Sequence, residues 1–277
     1  MRAYVEILRP LNCAMAAFAV FLGAGIASGS FSIFDVFIAC AVAFLVCGAG
    51  NVINDYYDYN IDRINAPGRP LPRGAIGLRT AHRYALFLFT AGVVLAAAIG
   101  FAAFALAIFN SALLYAYAWR IKRSGGLKKN LTVSYLVASP FLYGGVAASN
   151  PGATVMFAAL AALANVSREI VKDIADIKGD RGACETLPVK IGIQRSSMLA
   201  SVFLLLGVFL SPLPYLLGIL GYAYLPLVSI ADAVFLYALL VLWKGSAPKS
   251  ARYIKLGMFI ALLSFLAGAL SRTQPGP

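Results

Sequence analysis

Residues 33–62 read IFDVFIACAVAFLVCGAGNVINDYYDYNID. The first part is apolar over the length of a bilayer crossing. The last part, residues 51–62, is far more acidic than a membrane helix tolerates. Read as a helix, Asn51, Asn54, Asp55, Asp58 and Asp62 recur at separations of three and four and share one face. The carboxylates lie at the C-terminal end of that helix, where the macrodipole is already negative. Dipole and mutual repulsion both disfavour them unless a cation binds. A hard divalent ion suits such oxygen donors, and Mg²⁺ is commonly held by one or two carboxylates plus substrate phosphates. The alternative is a solvated helix end, which for Asp62 alone explains the residue equally well.

Working outward, the whole chain resembles the start of this stretch. It has 277 residues, 61% hydrophobic and 12% charged, with mean hydropathy +0.83. An ordinary soluble domain has about twice that charged share. Nine apolar segments are legible, at roughly 11–28, 33–57, 80–98, 100–119, 131–148, 153–173, 196–212, 215–243 and 253–271. Each is expected to be helical, because backbone groups in lipid are satisfied within their own segment. The expectation is an all-α, polytopic membrane protein forming a single domain over residues 1–277, its first segment a retained span rather than a leader.

Charge gives the sidedness. Of 23 basic residues, all but Arg272 fall before span one, or in or flanking the connections after the even-numbered spans. The opposite connections, around Ser28 to Ser32, Gly100, Ser149 to Gly152 and Ser211 to Pro214, carry no Lys or Arg. By the positive-inside rule the N-terminus and the acidic helix end are cytoplasmic and the C-terminus is outside. The net charge of +12 therefore reflects topology and anionic membrane lipids rather than nucleic acid. A basic face also attracts diphosphates. Cys13, Cys40, Cys47 and Cys184 show no metal-binding spacing and read as small buried residues. The lone His82 reads as a surface residue.

After the acidic stretch comes RINAPGRPLPRG, residues 63–74, an irregular loop by its prolines and glycines. Arg63, Arg69 and Arg73 in it can meet phosphate oxygens with a planar fork, or simply mark the cytoplasmic side. Residues 113–126, LLYAYAWRIKRSGG, close span four. Tyr115, Tyr117 and Trp119 suit an interfacial belt, and Lys122 suits a phosphate contact. Span six runs out through residues 165–192, NVSREIVKDIADIKGDRGACETLPVKIG. There Asn165, Glu169, Asp173, Asp176 and Asp180 again recur at helical spacing, with Arg168 and Lys172 alongside and Gly179 and Gly182 ending the helix. Two acid-bearing helix ends of equal orientation can each hold one Mg²⁺, with a diphosphate bridging the pair. Asp232, near the middle of span eight, is a functional candidate or a helix-packing hydrogen bond.

These motifs resemble the UbiA superfamily of intramembrane prenyltransferases. Its N-x-x-x-D-x-x-x-D signature is matched by Asn54, Asp58 and Asp62, and its D-x-x-x-D by Asp176 and Asp180, with Asp173 one turn earlier. The flanks match too: Arg9-Pro10, RPLPRG, and Thr186-Leu187-Pro188. The resemblance covers essentially the whole chain. It implies nine helices around a central cavity, a cytoplasmic polar site, Mg²⁺ as cofactor, and a prenyl diphosphate and a lipid acceptor as partners. Within the family the second motif resembles the archaeal ether-lipid branch and also the homogentisate and chlorophyll branches. The compact length and the C-terminal ARYIKLGMFIALLSFLAGAL are most similar to the ether-lipid branch, which implies a geranylgeranyl donor and geranylgeranylglyceryl phosphate as acceptor.

On this reading Asn54, Asp55, Asp58 and Asp62 together with Asp173, Asp176 and Asp180 bind metal. Asn51, Arg63, Arg69, Arg73, Tyr115, Arg168 and Lys172 bind substrate. Lys122 and Tyr117 join the aspartates in catalysis. Apolar spans would exclude water from an allylic cation. Aromatic or chlorin acceptors are the alternative within the family. A CDP-alcohol phosphotransferase would instead gather its acids in one motif followed by a glycine. A cation transporter would place them near the bilayer midplane. The sequence leaves the acceptor, the prenyl length and the oligomeric state open.

Overall fold

The computed structural model describes residues 2–27, 32–177 and 186–272. Among the described residues every regular element is helical, with no strand. The helices are α1 (Arg2–Leu8), α2 (Pro10–Ala27), α3 (Ile33–Tyr57), α4 (Tyr59–Asn65), α5 (Leu78–Ala96), α6 (Phe101–Ala116), α7 (Lys122–Ser124), α8 (Gly126–Ala147), α9 (Val155–Ala175), α10 (Leu187–Ile191), α11 (Ile193–Leu210), α12 (Leu213–Leu216), α13 (Tyr224–Trp243) and α14 (Ala247–Leu270). A π-helical turn, Tyr117–Ile121, joins α6 to α7, and a 3₁₀ turn, Pro151–Thr154, precedes α9.

Every apolar segment of the sequence contains a long helix, and among the described residues seven helical stretches are long and apolar enough to cross a membrane. The protein is a multi-pass membrane protein. The two remaining long helices, α5 and α8, are less apolar: α5 carries Arg79, His82 and Arg83, and α8 carries Lys128, Lys129 and Asn130. The expected span 215–243 is not one helix. After α12 the chain turns at Gly218, whose φ of +67° favours glycine, and the long helix starts only at Tyr224.

The described residues form two compact units. The first comprises residues 1–122 and 139–154, the second residues 123–138 and 155–277. The division falls within α8 beside Pro140, which removes one helical hydrogen bond there.

In the first unit α3 is the central element. Its buried Val42, Val46, Ala49, Val52 and Ile53 pack with Ala81, Ala85, Leu88 and Phe89 of α5. Helices α2 and α8 approach closely where they carry glycine. A Cβ on Gly144 would lie 2.1 Å from the Val20 carbonyl oxygen, and one on Gly23 would lie 2.5 Å from that of Phe141. Close small-residue contacts are how helices associate in lipid, where the hydrophobic effect gives no drive between spans.

In the second unit α9 packs with α11 and α14, and α13 pairs with α14. Ile170, Val171, Leu204, Phe235 and Ile254 form its core. Ser250 Oγ donates to the Ala238 carbonyl at 2.8 Å. Asp232 accepts from Ser211 Oγ at 2.6 Å, and Tyr224 OH donates to the Ser211 carbonyl at 2.6 Å. The intramembrane carboxylate thus has a packing partner.

Candidate active site

The acidic stretch stays helical, with a joint at Asp58. Helix α3 ends at Tyr57, Asp58 has φ −86° and ψ 0°, and α4 begins at Tyr59. The i→i−4 bonds run on through the joint: Asp58 N donates to the Asn54 carbonyl at 2.9 Å and Asp62 N to that of Asp58 at 2.8 Å. The shared face survives, but its five residues sort into two rows with different partners.

Asn54 and Asp58 make one row. Asn54 Nδ2 donates to Asp58 Oδ2 at 3.0 Å. Lys122 Nζ pairs with Asp58 Oδ2 and donates to Asn54 Oδ1 at 3.2 Å. The π turn explains how Lys122 arrives there. Its extra residue shifts the helical phase after α6, and such turns recur at functional sites. Tyr117 opens that turn and is half-buried.

Asn51, Asp55 and Asp62 make the other row. Asp55 Oδ1 pairs with Arg9, and Arg69 Nη1 lies 3.7 Å from the same oxygen. Arg69 also binds Asp62 Oδ2 at 2.5 Å. Burial works against the Arg69 cation, but the Asp62 hydrogen bond and the charges of Asp55, Asp62 and Asp58 outweigh it and raise its pKa. Arg9 sits between α1 and α2 with φ +54°, a conformation uncommon for a side-chain-bearing residue. Asn51 does not face the acids' partners. Its Nδ2 donates to the Leu8 carbonyl at 2.8 Å and approaches Cys13 and Cys47 Sγ at 3.9 Å. Cys13, Cys40 and Cys47 are free thiols, and Cys184 lies outside the described residues.

The other loop arginines are peripheral. Arg73 pairs with Glu6 at 2.7 Å, both about two-fifths exposed, and also donates to the Gly68 carbonyl at 3.0 Å. Arg63 is exposed and stacks over the Tyr59 ring at 5.8 Å. Tyr115 joins an aromatic group that includes His82. Tyr57 OH donates to Tyr115 OH at 3.0 Å, and His82 Nε2 lies 3.3 Å from that hydroxyl. The expectation of a surface histidine is corrected: His82 is half-buried, its ring 4.9 Å from that of Tyr56.

In the second unit the acidic residues of α9 are distributed differently. Asn165 Nδ2 donates to Ser134 Oγ at 3.0 Å, and Ser134 Oγ to the Asn130 carbonyl at 2.7 Å. Glu169 accepts from Arg168 Nη1 at 2.7 Å. Asp173 binds both Lys129 and Asn130. Lys172 and Asp176 are exposed, and Asp180, Gly179 and Gly182 lie outside the described residues.

Sequence reasoning missed Arg9, Lys129 and Asn130 as partners of the acids. Arg9 was visible as a charge before span one and as part of the Arg9-Pro10 flank, with no acid assigned to it, and Lys129 only as one of a basic run.

The side chains around Asp58 suit Mg²⁺ by donor type, since carboxylate and amide oxygens converge there and every cation now among them belongs to the chain. Among the described residues no three His, Cys, Asp or Glu side chains gather to cage a metal unaided. An ion here would be completed by substrate oxygens, as is usual for Mg²⁺.

The chain matches the UbiA prenyltransferase family over residues 16–263. It is 44% identical over 273 residues to the digeranylgeranylglyceryl phosphate synthase of Methanopyrus kandleri, covering 98% of this chain and all of that one. A solved structure concerning digeranylgeranylglyceryl phosphate synthase in membranes matches with TM-score 0.85 at 39% identity, covering 97% of this chain and 98% of that one. The fold also matches a UbiA homologue from Archaeoglobus fulgidus solved with GPP and Mg²⁺, with TM-score 0.64 at 18% identity over 95% of this chain and 99% of that one.

Proposed function

Since the chain belongs to the UbiA prenyltransferase family, we propose that it transfers a geranylgeranyl group from geranylgeranyl diphosphate to the free hydroxyl of geranylgeranylglyceryl phosphate. The product belongs to archaeal ether-lipid synthesis. The observation that carries this reading is the cluster at the end of α3, where Asn54 and Asp58 present oxygens on one face and Lys122 stands on both. Identity to a digeranylgeranylglyceryl phosphate synthase along nearly the full length of both chains supports the choice of acceptor.

In this proposal all nine long helices cross the membrane, and the N-terminus and both acidic segments are cytoplasmic, as the charge partition indicates. Asn54, Asp55, Asp58 and Asp62 would hold Mg²⁺, as would Asp176 and Asp180 of the second acidic segment. When bound there, the ion would supply charge neutralisation for the departing diphosphate. Lys122 and Arg69 turn from their carboxylates to phosphoryl oxygens, aided by Arg9, Arg63 and Arg73 as a basic surround, and Arg168 and Lys172 bind substrate beside the second acidic segment. The C–O bond to the prenyl group breaks with its electron pair on the diphosphate. The acceptor hydroxyl oxygen forms the new ether bond, and its proton leaves to the diphosphate. Tyr115 and Tyr117 line the same rim, and the apolar helices keep water from the allylic cation.

The test is transfer from labelled geranylgeranyl diphosphate by purified protein with Mg²⁺ and a panel of acceptors. The expected product is the digeranylgeranyl ether of glyceryl phosphate. Prenylation of aromatic acceptors alone would keep the family chemistry and remove this acceptor. Ion flux in liposomes without any prenylated product would sink the proposal.

A further inference from the structure

Four aspartates of the two acidic segments have defined side-chain partners, and Asp173 stands apart from the other three. Arg9 and Arg69 both meet Asp55 at Oδ1, Asn54 and Lys122 both meet Asp58 at Oδ2, and Arg69 meets Asp62 at Oδ2. Each of those carboxylates is held through one oxygen. Asp173 is held through both: Lys129 Nζ binds Oδ1, and Asn130 Nδ2 donates to Oδ2 at 3.1 Å.

The donors also differ in kind. The side chains of Arg9, Arg69 and Lys122 are 34–40% exposed, long enough and loose enough to swing aside for another cation. Lys129 is 14% exposed and Asp173 only 7%, and Asn130 is wholly buried. The side-chain oxygen Oδ1 of Asn130 has no hydrogen-bond partner, so its amide already has an unmet acceptor. Turning Asp173 to a metal would leave the Asn130 amide and the Lys129 ammonium without their acceptor in an apolar interior. An uncompensated buried charge is among the costliest of changes.

We infer that Asp173 is a positioning residue rather than a metal ligand: with Asn130 it fixes the Lys129 ammonium as a contact for the phosphoryl oxygens of the substrate. An ammonium has three donors, and Asp173 takes one. The exposed Asp176, three residues on, is the carboxylate that remains for the ion. This inference rests on the prenyltransferase reading, which the test below separates from it.

Purified full-length protein in lipid nanodiscs is titrated with Mn²⁺ in the presence of inorganic diphosphate, and bound metal is read by EPR. Wild type is compared with D173N, D176N, K129Q and the K129Q/D173N double variant. D173N and the double variant are expected to bind Mn²⁺ as wild type does, and D176N to bind it about tenfold more weakly or to lose an ion. K129Q is expected to raise KM for geranylgeranyl diphosphate about tenfold, the scale of one charged hydrogen bond, with kcat and Mn²⁺ affinity retained. The double variant leaves no unpaired lysine, so it keeps the answer readable where D173N alone fails to fold. Loss of Mn²⁺ in D173N and the double variant equal to that in D176N overturns the inference, as does an unchanged KM in K129Q. If wild type transfers no prenyl group, the functional reading fails, while the Mn²⁺ titration still decides the role of Asp173.

Discussion

The acidic segments at the ends of α3 and α9 look alike in sequence and do different work in the structure. Both open with an asparagine and continue with acids at helical spacing. In both, the asparagine is diverted into packing: Asn51 to the Leu8 carbonyl, Asn165 to Ser134. Beyond that they part. At the end of α3 every aspartate is met through one oxygen by a partly exposed arginine or lysine. On α9 the first acid is tied to its neighbour Arg168, and Asp173 is clamped on both oxygens deep in the unit. Helical spacing places side chains on a face. Burial and the reach of the partners decide whether that face can exchange its counter-charge.

The comparison breaks most visibly at Asp58. Asp58→Ala should lower turnover about a thousandfold, the scale of losing one preorganised charge-stabilising contact, with the protein still folded in the membrane. Steady-state transfer and a thermal melt on the same sample read this. Near wild-type turnover would mean the exchangeable cluster is not where the diphosphate departs.

Lys122→Gln comes next. It should raise KM for the prenyl diphosphate about tenfold to a hundredfold, the range of a charged hydrogen bond. An unchanged KM with a lower melting temperature would make Lys122 a structural counter-ion only.

Asn165→Leu sharpens the contrast from the other side. It removes the hydrogen bond that buried Ser134 Oγ accepts and should cost about 1–3 kcal/mol of stability, read by denaturant unfolding in mixed micelles. KM and Mg²⁺ dependence should not move. A shift in Mg²⁺ dependence would return this asparagine to the site.

Asn51→Ala is the smallest change. Losing its bond to Leu8 should cost about 1 kcal/mol, again with Mg²⁺ dependence preserved in a titration of initial rates.

The fold was legible where bilayer physics leaves little choice. Backbone in lipid is helical, and each apolar segment holds a long helix. The exception, after α12, came from a turn at Gly218 that an apolar count does not register. The candidate site was legible as far as local periodicity reaches: Asn54, Asp58 and Asp62 were marked by spacing, and the i→i−4 bonds through the joint keep the shared face, but the spacing did not show that Asp62 takes a different partner from Asn54 and Asp58. The partners distant in sequence were not legible. Arg9 lies 46 residues from Asp55, Lys122 lies 64 from Asp58, and Lys129 lies 44 from Asp173. No local spacing encodes such pairs. Lys122 depends besides on a π turn, a phase shift that the hydrophobic pattern of LLYAYAWRIKRSGG does not announce. His82 was misplaced for the same reason: a basic neighbourhood marks a membrane edge but does not reveal the tyrosines of α3 and α6 that enclose the ring.

The most direct measurement is conversion of labelled geranylgeranyl diphosphate and geranylgeranylglyceryl phosphate by wild-type protein in nanodiscs, with Mg²⁺ and again with a chelator. The doubly prenylated glyceryl phosphate is expected with Mg²⁺ and none with the chelator. No prenylated product with Mg²⁺, or equal product in both, would contradict it.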